Sequence, residues 1–258
     1  MNVVELRAGE PGGPLVVFAH GLEDTWESWR ALASRVDPRW RVIALDLPWR
    51  PGNDYGWRHR PAGAWLSDAL DLIDAPADAI VAHSFGANAA LELMCARDRR
   101  CGRAAVLVCP MYCSPDLSIT WEVFDRSRRT FDQHIRDGIH VRLGRRIGRL
   151  DPEIVELMTA KTLNRVGPAG FLAVFEQFTA SARLDLEDAD LPTLVLAGGA
   201  DPTLSSKRAH ALAARLPLAE LRFHEEYDHF CHVRRAPELA EQVQRYVREA
   251  LANKGAIA

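Results

Sequence analysis

The sequence predicts an α/β fold, a mostly parallel sheet flanked by helices and carrying an inserted helical lid. Three observations predict it. Short apolar runs bounded by turn residues recur along the chain and alternate with helix-like stretches. Most of these runs are apolar throughout rather than alternating, as expected of strands covered on both faces. One long interval, 114–185, holds helical patches and no convincing strand, which marks it as an excursion from the sheet.

Taken in order, a first strand candidate is "VVELRA", and "PLVVFAH" (14–20), "RVIALDL" (41–47), "AIVAH" (79–83), "AAVLVCP" (104–110), "PTLVLAGG" (192–199) and "AELRFHE" (219–225) follow. Helix-like segments lie near 26–36, 61–74, 85–98, 204–215 and 237–251. The last has the clearest spacing, with Leu239, Val243, Tyr246, Val247 and Leu251 on one side and Pro237 in the first turn. Within the excursion the patches are "TWEVFDRSRRTFDQHI", "DPEIVELMTAKTL" and "PAGFLAVFEQFTASA". The expected organisation is therefore a core of 1–113 and 186–258 with the lid at 114–185.

Composition narrows the function classes. A chain of 258 residues, 48% hydrophobic and 26% charged, is long enough to bury one large core. No stretch approaches 18 uninterrupted apolar residues and the N-terminus lacks a signal-peptide pattern, so the expected compartment is the cytoplasm. A net charge of −3 gives no reason to expect nucleic acid or an anionic membrane. Only Lys161, Lys207 and Lys254 are lysines among 32 basic residues, a skew that fits a GC-rich bacterial genome. Five cysteines without paired CxxC spacing argue against disulfides or a zinc site.

The chemistry concentrates at "AIVAHSFGANAALEL". A serine at an abrupt strand-to-helix corner sits where an open parallel sheet binds ligands, at the carboxyl end of a strand. Ala82 and Gly86 are small enough to let strand and helix approach, and the helix N-terminus offers unpaired N–H groups to a developing anion. A serine hydroxyl needs a base, and the base an orienting acid. His229 follows the last strand candidate and Asp201 the one before it, so both fall on the same rim as Ser84. The order Ser84, Asp201, His229 is that of the nucleophile-elbow hydrolases. The turn after "VVFAHG" directs the N–H of Leu22 at a substrate oxygen, with the N–H of Phe85 as second donor, each worth roughly 3–4 kcal/mol in the transition state.

With these residues in place the sequence resembles the α/β-hydrolase superfamily over essentially its whole length. The carriers are "HG" at 20–21, "DLPWRPGND" at 46–54, "AHSFGA" at 82–87, "LAGGADP" at 196–202 and "YDHFCH" at 227–232. The resemblance implies Ser84 as nucleophile, His229 as base, Asp201 as its partner, and a lid between the sixth and seventh family strands. Ala82 stands where the family commonly has glycine, "DLPWRPGND" lacks the second glycine of the usual turn, and an early edge strand is expected to be missing. Epoxide hydrolases and haloalkane dehalogenases carry aspartate at the nucleophile position, which Ser84 disfavours.

Plainer readings stand beside these. Ser84 is also a good helix cap, Asp201 suits an Asx turn before Pro202, and Asp116 and Asp228 are the alternative acids. His232 is expected at the surface or behind the site, and His20 and His83 in structural hydrogen bonds. Gly21, Trp26, His83, Trp121 and Phe175 are the substrate-pocket candidates. Trp49, Tyr55 and Trp57 read first as a solvated loop with aromatics covering the sheet rim. Residues 121–150 hold eight arginines against four acids. Usually such a run is a solvated helix face, although it also suits an acidic partner such as an acyl carrier protein.

The expected activity is hydrolysis of an ester, thioester or lactone with a medium-sized apolar acyl part, without metal or organic cofactor. Acyl transfer, carbon–carbon bond hydrolysis and a non-catalytic binding role on the same scaffold are the alternatives.

Overall fold

The computed structural model describes Met1–Ala252; residues 253–258, with Lys254, lie outside the described residues. Seven strands form one sheet in the order β1-β3-β2-β4-β5-β6-β7. They are β1 (Asn2–Arg7), β2 (Leu15–Ala19), β3 (Arg41–Asp46), β4 (Ala79–His83), β5 (Ala104–Val108), β6 (Thr193–Gly198) and β7 (Ala219–His224). Only β1 runs antiparallel to its neighbour; β2 through β7 pair in parallel. The central strands β2, β4, β5 and β6 are buried along their whole length, which explains why they read as unbroken apolar runs. The edge strands β1 and β7 are only half buried.

Helices α1 (Arg30–Ala33), α2 (Ala62–Leu70), α3 (Phe85–Cys95), α4 (Trp121–Leu143), α5 (Pro152–Ala180), α6 (Ser206–Arg215), α7 (Cys231–Arg234) and α8 (Ala236–Ala252) complete the fold. They divide the core in two. One face of the sheet packs on α2, α3, α6 and the lid, the other on α1 and α8. The expected stretch 26–36 becomes a 3-10 turn over Trp26–Trp29 and a single helical turn after it.

The excursion leaves the sheet between β5 and β6 and contains α4 and α5. Helix α5 is broken at Gly167 (φ 56°, ψ −163°), immediately before Pro168, whose ring cannot continue the preceding helical hydrogen bonds. Much of the basic run on α4 is paired within the lid: Arg126 with Glu122, Arg128 with Asp125 and Asp132, and Arg136 with Glu156.

The loop 47–60 exposes Arg50, Gly52, Asp54, Gly56 and His59 while its aromatics cover the sheet rim, as expected. Trp49, Tyr55 and Trp57 are buried, and Trp49 and Trp57 both pack edge-on against Phe85. Trp49 Nε1 donates to the His20 carbonyl (3.0 Å), so the loop braces the end of β2. All five cysteines are free thiols.

Candidate active site

Ser84 links β4 to α3 with φ 51° and ψ −118°, a backbone conformation that costs a non-glycine residue of order 1–3 kcal/mol. Two features hold it there. The Ser84 N–H donates to the Val108 carbonyl (2.9 Å), and α3 packs so closely on the end of β2 that a Cβ at Gly86 would lie 2.5 Å from the His20 carbonyl oxygen. Ser84 is the residue at the start of the helix, yet its side chain makes no capping bond. The hydroxyl is committed elsewhere: Ser84 Oγ donates to His229 Nε2 at 2.9 Å.

His229 lies in the turn after β7, and its Nδ1–H donates to Asp201 Oδ2 at 2.9 Å. That bond fixes the tautomer that leaves Nε2 free to accept from Ser84. Asp201 follows β6, and its Oδ1 accepts the Thr203 N–H at 2.8 Å. The Asx-turn reading and the acid reading of Asp201 are therefore both realised, one by each carboxylate oxygen. The two loops are tied by the Ala200 N–H donating to the Tyr227 carbonyl (3.2 Å). Burial alone would raise the Asp201 carboxyl, but the electrostatic attraction of His229 and the hydrogen bonds of His134 and His229 outweigh it and hold the group well below the usual carboxylate range. Asp116 is exposed and bonded to Ser114, and Asp228 accepts the Phe230 N–H, so neither competes for His229.

The turn after β2 supplies the other wall. His20 is fully buried, its Nδ1–H donating to the Gly21 carbonyl (2.8 Å) and its Nε2 accepting the Leu47 N–H (3.0 Å). Burial depresses its pKa, so it stays a neutral spacer. Among the described residues neither the Leu22 nor the Phe85 N–H is engaged by a backbone carbonyl. His83 Nε2–H donates to the His229 carbonyl (2.7 Å), which places His83 behind the site rather than in proton transfer.

These groups open into a cavity of about 340 Å³ between the sheet rim and the lid. Gly21, Leu22, His83, Ser84 and His229 line it from the body, and Phe131, Phe171 and Phe175 from the lid. Two pocket candidates are corrected. Trp121 is 83% exposed, at the solvent-facing start of α4. Trp26 heads the 3-10 turn that runs to the opposite face of the sheet, where it packs under Arg30 and against the second core. Of the two places expected for His232, the surface and a position behind the site, the structure shows the second: it is buried, its ring 4.0 Å from that of His83.

Two features had no signal in the sequence. His134, on α4, stacks on His229 and brings Nε2 to 3.6 Å from Asp201 Oδ1. Glu23, next to Leu22, is buried and binds the Tyr55 hydroxyl (2.8 Å) and Arg165 of α5, anchoring the lid beside the turn. These contacts join segments far apart in the sequence, Glu23 and Arg165 by 142 residues, and no local periodicity reports such pairings.

A family model described as "Alpha/beta hydrolase family" matches residues 16–242. The chain belongs to this family. Among solved structures it is similar to the enol-lactonase from Burkholderia xenovorans LB400 (TM-score 0.65, 17% identity, 96% of each chain covered). It is also similar to haloalkane dehalogenase DbeA from Bradyrhizobium elkani USDA94 (TM-score 0.66, 19% identity, 97% of this chain and 94% of the other). At these identities the likeness is one of fold. A curated relative, epoxide hydrolase 4 of Mus musculus, is 31% identical over 91 residues, 31% of this chain and 24% of the relative. The chain thus spans about a quarter of that relative's length. Among the described residues no helix is long and apolar enough to cross a membrane.

Proposed function

We propose that this α/β-hydrolase is a serine hydrolase acting on an ester, thioester or lactone with a medium-sized, largely apolar acyl part. The observation that carries the reading is the continuous line of hydrogen bonds from Ser84 Oγ through the His229 ring to Asp201, ending at the floor of an apolar cavity. Ser84 Oγ attacks the acyl carbonyl while His229 Nε2 takes its proton. Asp201 stabilises the imidazolium, and the Leu22 and Phe85 N–H groups receive the negative charge that develops on the carbonyl oxygen. His229 returns the proton to the leaving alcohol, thiol or enol oxygen. Water, activated by the same imidazole, then releases the acid and restores Ser84.

The test is labelling with a fluorophosphonate followed by a panel of p-nitrophenyl esters and acyl thioesters. Wild type is expected to be labelled at Ser84 and to hydrolyse members of the panel; Ser84→Ala loses both. An unlabelled, inactive wild type would favour a binding protein on this scaffold.

A further inference from the structure

The cavity above Ser84 is apolar along the lid but not at every wall. Beyond Asp201 it is bounded by Thr203, Ser205 and Arg208, the last in the first turn of α6. Arg208 is half buried, and its guanidinium makes one hydrogen bond, NH2 donating to the Thr203 carbonyl at 2.6 Å. That bond and the Phe178 ring, 5.7 Å from the guanidinium carbon, fix the head group in place. A guanidinium has five N–H donors, and at this residue of the cavity wall one hydrogen bond is made among the described residues. No carboxylate is ion-paired with it among the described residues, unlike Arg58, Arg165 and Arg215, each of which has a glutamate.

Arg126, on α4, borders the same cavity, and its charge disfavours that of Arg208. Burial is the largest cause and lowers the pKa of Arg208; the Cys113 and Asp201 side chains offset it only in part, and among the described residues no carboxylate lies within ion-pair distance of the guanidinium. Among the described residues Asp24 is the only carboxylate lining the cavity, and it sits by the turn after β2, where it accepts the Thr25 N–H. Desolvating a cation without a counter-ion is unfavourable unless a ligand supplies the charge. A guanidinium with an open fork suits a planar carboxylate, which it can bind through two parallel N–H bonds.

We propose that the cavity accepts an acyl substrate bearing a second, ionised carboxylate, which pairs with Arg208 while its ester, thioester or lactone carbonyl lies at Ser84. The inference rests on the hydrolase reading above and deepens it: Arg208 is the specificity-determining residue, selecting half-esters or carboxylated lactones over neutral ones of equal length. The apolar lid then holds the methylene chain between the two ends.

The experiment compares p-nitrophenyl hemiglutarate with p-nitrophenyl valerate, which differ only in a terminal carboxylate against a methyl group. For wild type, kcat/KM is expected to favour the hemiglutarate by roughly tenfold or more, the worth of one charge-assisted pair in a partly desolvated site. Arg208→Ala abolishes or reverses the preference, acting chiefly on KM, and Arg208→Lys keeps part of it. A wild type that prefers valerate, or an Arg208→Ala enzyme that loses both substrates equally while still folded, overturns the proposal. Calorimetric binding of monoethyl glutarate and ethyl valerate to Ser84→Ala protein separates this from the hydrolase reading, because no turnover is needed. At least tenfold tighter binding of the charged ester, lost in the Ser84→Ala/Arg208→Ala double variant, supports the subsite even if wild type hydrolyses nothing. Equal binding sinks it.

Discussion

The ring of His134 lies flat on the ring of His229, with 3.9 Å between centroids and 9° between planes. His134 belongs to the lid, and its Nε2 also lies 3.3 Å from Thr203 Oγ1, so it bridges α4 and the Asp201 turn. Burial, followed by the charge of His229, pushes the His134 pKa down, and the ring rests on its neighbour as a neutral plate. Its effect on the proposed chemistry is to hold the His229 ring in the plane that serves both Ser84 and Asp201.

Replacing His134 therefore tests orientation apart from binding. His134→Ala is expected to lower kcat roughly tenfold with a smaller change in KM, since a small misalignment of a catalytic ring costs rate rather than affinity. His134→Phe keeps the stacking plate and should recover most of the loss. Equal deficits in both variants would mean that the Nε2 contacts, not the stack, carry the effect.

The turn after β2 has no room to spare. A Cβ on Gly21 would lie 3.0 Å from His83 Nδ1 and 3.2 Å from the Ser84 Cβ, so the turn must move by a few tenths of an ångström to accept one. Gly21→Ala is expected to fold with little loss of stability and to lose activity by about 10- to 100-fold, because the Leu22 N–H moves with the turn. Gly86→Ala meets backbone oxygens that cannot yield, at 2.5 and 2.9 Å, and should instead lower stability by about 1–3 kcal/mol. Thermal unfolding beside ester hydrolysis distinguishes the two. A Gly86→Ala protein as stable as wild type contradicts the packing described for α3.

How much of this was visible in the sequence follows from where each signal is stored. Strands β2, β4, β5 and β6 are buried on both faces, so their apolar runs carried the fold without help from tertiary contacts. Ser84, Asp201 and His229 could be placed because each directly follows a strand, and a parallel sheet brings such positions to one rim. The pocket walls could not. Trp26 and Trp121 were aromatic residues near the right elements, but the side to which they point depends on a 3-10 turn and a helix start whose rotation the sequence leaves open. Trp49 and Trp57 looked like loop residues and are packed on Phe85, because a loop of 14 residues, 47–60, folds back over the rim. His134 and Arg165 act on residues of the body from the inserted helices, through contacts between segments far apart in the sequence.

The Glu23–Arg165 pair is one charged anchor between α5 and the body, beside the more exposed Arg58–Glu176 pair. The Glu23 side chain is 2% exposed, and only Tyr55, Asn53 and Arg165 satisfy it. Arg165→Met removes the cation and leaves a buried carboxylate, which is expected to cost about 1–3 kcal/mol, discounted because Arg165 itself is partly exposed. The loss should localise: limited proteolysis is expected to cut near the Gly167–Pro168 break in the variant before wild type is cut at all. The double variant Glu23→Gln/Arg165→Met, with no charge left to strand, should recover much of the stability. If it is as unstable as the single variant, the ion pair is not what holds the lid.

Two buried histidines, His20 and His83, and the largely covered His134 set the behaviour of the protein in acid. Burial, as the largest cause in each, lowers the pKa of His20, His83 and His134 from 6.5. The unfolded chain takes up protons on these rings as pH falls through about 6.5, whereas the folded protein does not until lower pH. The unfolded state thus binds more protons in that window, and stability falls as pH falls, by up to about 1.4 kcal/mol per pH unit for each ring that stays neutral. Asp201 acts with the same sign in a more acid window: its folded carboxyl is held well below 3.8, so its contribution is full above that pH and is lost as pH falls further. Urea midpoints measured at pH 7.5, 6.0 and 5.0 are expected to decline in step, and His134→Gln, which removes one ring from the count, should flatten the decline. A midpoint that holds constant down to pH 5.0 would show that these rings accept protons inside the fold, and that the neutral plate behind and above His229 is charged.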